Sequence, residues 1–322
     1  MPSIETLRKR FCKDTGLPIN VVSDPYFGQR LDLFDAASAY EDYSDMIHHY
    51  TDEGKSYLDY YDSVWDSVVK YIRSSDVFEL FNTMDMNLYA NVTHKNIPSC
   101  DVYKQPNVGE TYISIDMVKA NFTCLVHFER QTPFSKQIET DGYDYDSFMR
   151  RFTDNDFIIK SKNIRQIIFG KCNTSRYSTY QKYMMSLLLN KLFAVGVELE
   201  DVYSLRNDEI IIKLPEDSDV VSEILRISYN MNFPLRTEIF TLEQILDCAD
   251  PDTFPEGRVV GYIKRFEDGT FETKCVSAVD AAPVARFLKG ETILDDDLVF
   301  PNEKRLAKFI TMPQYRIIKS YE

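Results

Sequence analysis

With 322 residues and 44% hydrophobic side chains, the chain is long enough for two domains, or for one large domain with an accessory lobe, and is excluded from the disordered class. Its 37 basic and 51 acidic residues give a net charge of −14, which excludes a protein that coats nucleic acid over its whole surface but leaves room for a local basic groove. Six scattered cysteines without zinc-ligand spacing read as free thiols, and the lack of a long apolar run or an apolar leader predicts a soluble, cytoplasmic protein.

Residues 1–105 are acidic and rich in tyrosine, and Tyr57, Tyr60, Tyr61, Val64, Trp65, Val68, Val69 and Ile72 recur at helical spacing. They predict a helix with one face in a core. His48 and His49 lie in this region with no third metal ligand nearby. Pro98, Pro106 and Gly109 break the pattern, so a boundary near residue 105 is expected. Thr111 to Asp116 then read as a short strand that ends in an aspartate and leads into a helical segment.

From Ile158 to Val197 the chain carries seven basic residues and no acid: Lys160, Lys162, Arg165, Lys171, Arg176, Lys182 and Lys191. In so acidic a protein this is a local reversal of sign. Tyr177, Tyr180, Tyr183, Met184, Leu187, Leu188 and Leu192 predict a long helix from about Ser175 to Phe193, apolar on one face and basic on the other. Residues 201–217, DVYSLRNDEIIIKLPED, read as a β-hairpin with Asn207, Asp208 and Glu209 at its tip.

A helix with an Asp or Ser cap follows near residue 218, and Asp268-Gly269 marks a second hairpin. The stretches SAVDAAPVARFLKG and NEKRLAKFI suggest two short helices. The boundaries expected are 1–105, 106–231 and a strand-rich 232–322, in an α+β protein.

Asp116 and Asp208 are strand-borne carboxylates on either side of the basic segment. Phosphoryl transfer uses such a combination: paired aspartates hold divalent ions, Mg2+ or Mn2+, while arginine and lysine neutralise the triphosphate. The sequence carries no phosphate-binding G-x-x-x-x-G-K-[ST] loop, dinucleotide-binding G-x-G-x-x-G or G-x-S-x-G elbow.

Over roughly residues 110–230 the chain resembles the palm and fingers of the A family of DNA polymerases, the bacterial polymerase I type. The segment SIDMVKANFTCL resembles the family's first motif, which implies that Asp116, helped by the Met117 carbonyl, binds metal. KSKNIRQIIFGKC resembles the fingers helix, which implies Arg165 on the nucleotide phosphates and Phe169 against the base or sugar, followed by Gly170. SLRNDEIIIKLPED resembles the third motif, which implies Asp208 as second metal ligand and Glu209 beside the primer end. The resemblance implies a palm with an antiparallel sheet, reduced helical fingers, a helical amino-terminal region and a carboxy-terminal extension. It also implies nucleic acid and a nucleoside triphosphate as partners, with DNA replication as the setting.

Asn207 stands where the family has histidine. Asn121 stands where its ribose-excluding glutamate lies, which leaves sugar discrimination open. Ser161 takes the place of an arginine, with Lys160 and Lys162 flanking it. Only 43 positions separate Arg165 from Asp208, fewer than full fingers need, and neither an exonuclease nor a thumb is recognisable. These departures suggest a reduced member of the kind phages encode, working in an infected host cell or within a larger replication or transcription complex.

Three simpler readings stand beside these: Asp208 as a turn residue, Asp116 as a helix cap, and the basic segment as a solvated face. An alternative function is a non-catalytic RNA- or single-strand-binding module on a degenerate palm, with Lys171, Arg176 and Lys182 on phosphates and Tyr177, Tyr180 or Phe169 stacking on bases. A third is a structural protein without nucleic acid.

Overall fold

The computed structural model describes residues 3–52, 56–92, 94, 96–132, 138, 140, 142–303 and 305–321. The amino-terminal region folds as α1 (Ile4–Thr15), α2 (Tyr26–Leu33), α3 (Ala37–Asp52), α4 (Tyr57–Arg73), α5 (Asp76–Thr83) and the single turn α6 (Asn87–Ala90). The helix expected from the tyrosine-rich periodicity is α4. Its Tyr57, Tyr61, Val64, Val68, Val69 and Ile72 are buried, and the Ser56 side chain caps its first turn. Burying each such side chain is worth about 1.5–3 kcal/mol, which outweighs the roughly half kcal/mol of helix propensity lost at each valine.

The chain then enters β1 (Thr111–Met117) and five helices: α7 (Ala120–Gln131), α8 (Tyr145–Arg150), α9 (Asp156–Lys160), α10 (Lys162–Lys171) and α11 (Thr174–Phe193). The expected ribbon follows as β2 (Val202–Leu205) and β3 (Glu209–Lys213), and then α12 (Ser218–Tyr229), capped by the Asp217 side chain. The rest is β4 (Leu235–Asp247), β5 (Arg258–Phe266), β6 (Phe271–Lys274), α13 (Ala281–Leu288), β7 (Val299–Asn302), β8 (Arg305–Lys308) and β9 (Tyr315–Ile318). The hairpin signal at Asp268-Gly269 joins β5 to β6, with Gly269 at φ 82°, a left-handed conformation that costs glycine little. NEKRLAKFI, by contrast, is not helical in its described part. There β7 and β8 pair as a hairpin, and Glu303 at φ 45° turns the chain out of any helix.

Among the described residues seven strands form one sheet in the order β2-β3-β1-β4-β5-β6, with β9 on the second half of β4; every pairing is antiparallel. The alternation of β1 decides its two faces. Ile113, Ile115 and Met117 enter the main core with Phe122 and Leu125 of α7, Met184 and Leu188 of α11, and Ile224 of α12. Tyr112 points the other way, into a smaller cluster with Ile211, Phe240, Leu242 and Tyr262. The boundary expected at 231/232 falls just before β4, whose first half is hydrogen-bonded to β1, so the sheet continues across it. Gly261 lies where β4 and β5 shift register by a bulge, and a Cβ there would meet Val276 Cγ2 at 2.5 Å. No described helix is long and apolar enough to cross a membrane.

A buried ion cluster fastens the amino-terminal helices to the last third of the chain. Arg30 of α2 donates to Asp297 Oδ1 at 2.8 Å and to the Asp296 carbonyl at 2.8 Å. Arg286 of α13 reaches Asp297 Oδ2 at 3.0 Å, and the Leu294 amide donates to the same oxygen at 2.9 Å. Removing one partner of such a pair strands the others in the core, so Asp297→Ala should cost about 3–5 kcal/mol, read from urea unfolding midpoints at unchanged slope. A loss below about 1 kcal/mol would mean that the pair is solvated rather than structural.

Candidate active site at the end of the central strands

The polar end of the sheet is built by strand register. In the β1–β3 ladder Asp116 stands opposite Glu209, and the Met117 amide donates to the Asp208 carbonyl at 2.7 Å. Cross-strand partners share a face, so two carboxylates meet there and Asp208 lies one residue beyond the strand. On the other flank, β4 sets Arg236 opposite Asp116 and Glu238 opposite Ser114.

The contacts form a network. Ser114 Oγ donates to Glu209 Oε1 at 2.9 Å. Arg236 approaches Asp116 Oδ2 at 3.5 Å and Glu238 Oε1 at 3.3 Å. Lys264 of β5, only 2% exposed, lies 3.6 Å from Glu209 Oε1 and 4.6 Å above the Phe240 ring.

The electrostatics follow from crowding of like charge. Burial first, then the charges of Asp208 and Glu209, push the Asp116 carboxyl up from 3.8 to about 6, against the pull of Arg236 and Lys264. Asp208 is raised as well, by burial and then by Glu209, with Arg206 and Lys162 opposing. Burial lowers the Lys264 ammonium, and Glu209 resists that change.

Of the residues expected at a site, the fold brings Asp116, Asp208 and Glu209 together and sets Lys162, exposed at the start of α10, where its charge is felt by Asp208. Arg165, half-buried one turn further along, lies 5.6 Å over the Tyr145 ring. Asn121 accepts from Gln181 Nε2 at 2.8 Å, Gly170 is exposed in the last turn of α10, and Lys160 pairs with Asp156 at 3.1 Å. The Met117 side chain belongs to the main core, leaving only its main chain at the strand end.

Other expected residues lie elsewhere. Phe169, Tyr177 and Tyr180 are 1%, 0% and 2% exposed: Phe169 packs edge-on against Tyr177 at 5.5 Å, and the Tyr180 hydroxyl bonds His127 Nδ1 at 2.8 Å. Buried so, these rings have no face for a base to stack on. Arg176 is occupied by the Phe81 and Met84 carbonyls, Lys171 sits exposed 5.8 Å over the Trp65 ring, and Lys182 is exposed.

Sequence reasoning missed Ser114, Arg236, Glu238 and Lys264. Two signals were available: Ser114 lies two residues before Asp116, hence on the same face, and Lys264 directly follows the apolar run VVGYI within a strand. Arg236 and Glu238 carry no such mark, because only the strand order brings β4 beside β1.

Among the described residues no group of three or more His, Cys, Asp or Glu side chains is arranged to hold a metal ion. Asp116 and Asp208 nevertheless suit a hard cation, since they supply only oxygen ligands and the neighbouring Arg236, Lys264, Arg206 and Lys162 offset only part of the charge that raises both. Magnesium bound beside phosphates commonly takes just one or two protein carboxylates.

No protein-family model and no curated protein matches the chain. Among solved structures, it matches the family B DNA polymerase of the hyperthermophilic archaeon Pyrobaculum calidifontis at 10% identity and a TM-score of 0.28. The match covers 67% of this chain and 39% of that polymerase. A likeness so loose assigns the chain neither to that family nor to the A family that its motifs resemble.

In Asp208→Asn, the Asp116 carboxyl should titrate closer to the ordinary range, followed by carbon-detected NMR of the carboxylate; an unmoved midpoint would mean the two acids do not interact. Because the folded Asp116 value lies above the unfolded one, the native state holds the extra proton between 3.8 and about 6 and loses stability as pH rises through that window. Asp116→Asn should flatten this fall.

Proposed function

We propose that the polar end of the sheet is a phosphoryl-transfer centre and that the protein is a polymerase-like nucleotidyltransferase acting on a nucleic-acid primer. The observation that carries this reading is the pairing of Asp116 and Glu209 on adjacent strands with Asp208 one residue beyond, close enough to act on Asp116, and with Lys162 of a basic helix acting on Asp208. A structural carboxylate cluster has no use for such repulsion, whereas a site that receives cations and a triphosphate is balanced only when loaded.

Asp116 and Asp208, with the Met117 carbonyl, would hold Mg2+ or Mn2+, which when bound supplies charge to activate an attacking hydroxyl and to stabilise leaving pyrophosphate. The remaining work falls to the chain's own groups. Lys162 neutralises phosphate oxygens, with Arg165 one turn further along α10 as a second cation for the triphosphate. Glu209 is oriented by Ser114 and Lys264, and so keeps a fixed negative charge beside the primer end. Asn121, bonded to Gln181, offers a short amide on the sugar side, too small to exclude a ribose hydroxyl by bulk.

One observation favours a second reading, a nucleic-acid-binding module without catalysis: Arg236 and Lys264 already offset part of the acidic charge. In that case binding to single strands would persist in Asp208→Asn and in the presence of chelator. With the base-stacking rings buried, it would rest on phosphate contacts and fall steeply with salt.

Primer extension on DNA and RNA templates with Mg2+ or Mn2+ separates the two. Incorporation is expected for the wild type, with a loss of about 100-fold or more in Asp116→Asn and Asp208→Asn. Lys162→Ala should lose about 10- to 100-fold, the equivalent of one charged hydrogen bond. Failure of the wild type to incorporate any nucleotide with either ion would refute the catalytic reading.

A further inference from the structure

The turn from β1 into α7 is closed by Lys119, which breaks two local rules. Its backbone stands at φ 48° and ψ 48°, a left-handed conformation that few residues with a Cβ adopt, and at the start of α7 its side chain makes no capping hydrogen bond. The beginning of a helix favours negative charge, so an ammonium there is at the wrong pole unless an anion joins it. In this structure the anion is Asp146, whose Oδ1 accepts from Lys119 Nζ at 2.6 Å. A second carboxylate, Asp144, feels the Lys119 charge but is occupied as the cap of α8, accepting from the Asp146 and Ser147 amides and the Ser147 hydroxyl.

Lys119 does not stand alone. Its Nζ lies 5.3 Å over the Tyr145 ring, and the Arg165 guanidinium lies 5.6 Å over the same ring, which is 0% exposed and held edge-on by Phe122 at 5.3 Å. Two cations from different elements thus share one fixed platform, with Lys162 one turn before Arg165 on α10. Among the described residues Arg165 and Lys162 make no salt bridge, so Lys119 is the tethered member of the three. It follows Asp116 by three residues, which places it beside the triphosphate seat proposed above. The tether can be exchanged: the Lys119 and Asp146 side chains are 28% and 45% exposed, so a released carboxylate returns to water, and a triphosphate offers several negative charges against its one.

We infer that Asp146 is a built-in competitor for nucleoside triphosphate, holding the Lys119 ammonium until the phosphates take it over. Lys119 is then a third phosphate-binding cation beside Lys162 and Arg165, and its pairing with Asp146 sets nucleotide affinity. The inference rests on the phosphoryl-transfer reading of the site and adds to it how nucleotide entry is regulated.

The test titrates the full chain by calorimetry with dATP and with inorganic tripolyphosphate, both with Mg2+, and runs primer extension in parallel. Asp146→Asn should tighten both ligands by about 3- to 10-fold, whereas Lys119→Gln, which keeps the alkyl stem over Tyr145, should weaken them by about tenfold. A merely structural ion pair would move both variants in the same direction. Asp252→Asn, exposed in the turn beyond the far end of β4, measures the general effect of removing one negative charge. Once Lys119 is Gln, Asp146→Asn should gain no more than Asp252→Asn does. Four outcomes would overturn the inference: weakening by Asp146→Asn, unchanged binding in both single variants, tightening no greater than that of Asp252→Asn, or no binding of either ligand to wild type and Asp146→Asn. If Lys119→Gln does not fold, Asp146→Asn against Asp252→Asn still decides it. The two readings fail separately: the expected binding pattern without incorporation refutes only the polymerase, and incorporation with unaltered affinity in Asp146→Asn refutes only the competitor.

Discussion

Like charge held on neighbouring strands organises this molecule. Asp116 and Glu209 are cross-strand partners, and such pairs oppose folding unless cations or solvent relieve them. Relief arrives from outside the hairpin, from Arg236 on one flank and from Lys264 two strands away. The order of the sheet thus serves an electrostatic purpose: β4 must lie beside β1, and β5 beside β4, if the two cations are to reach the acids. Lys264 gives up most of its hydration to do so, and the Phe240 ring beneath it and Glu209 beside it return part of that cost.

A second electrostatic fastening closes the chain on itself. Arg30 and Arg286 both donate to Asp297, one to each oxygen, and main-chain groups take up further donors and acceptors, so few are left over. Gln29 adds a contact to Asp296 at 2.9 Å, and Lys289 reaches Asp35 at 2.8 Å. These pairs join helices near the beginning of the sequence to the segment around α13. Asp14 of α1 adds another polar anchor, accepting from the Tyr61 hydroxyl of α4 at 2.9 Å and from the Ser161 hydroxyl at the start of α10 at 2.8 Å, among mainly apolar contacts.

Much of this was legible in the sequence, for identifiable reasons. Helical spacing revealed α4 and α11, and alternation revealed β1 and the β2–β3 ribbon, because burial enforces those periods. The convergence of Asp116 and Asp208 could be anticipated since both lie at strand ends on either side of one structural unit. Periodicity does not tell what an apolar face touches. The stripe through Tyr177 and Tyr180 meets protein, not bases, and the same ambiguity hid the core position of Phe169. Within α10, motif spacing favoured Arg165, yet the helix begins at Lys162, and the residue in its first turn is the one whose charge reaches Asp208. Arg236, Glu238 and Lys264 were beyond reach because their proximity to Asp116 and Glu209 is a product of strand order. NEKRLAKFI was misread because its charged residues suit an exposed hairpin as well as an exposed helix.

The length of β4 has a further consequence. Its first seven residues satisfy the hydrogen-bonding groups along one side of β1, while later ones join β5 and β9. A fragment stopping at residue 231 would turn β1 into a bare margin, sticky toward other chains, and would strip the acids of Arg236 and Lys264 at once. The strand-rich portion is therefore no detachable appendage, since the carboxylate site owes its insulation and part of its charge balance to it.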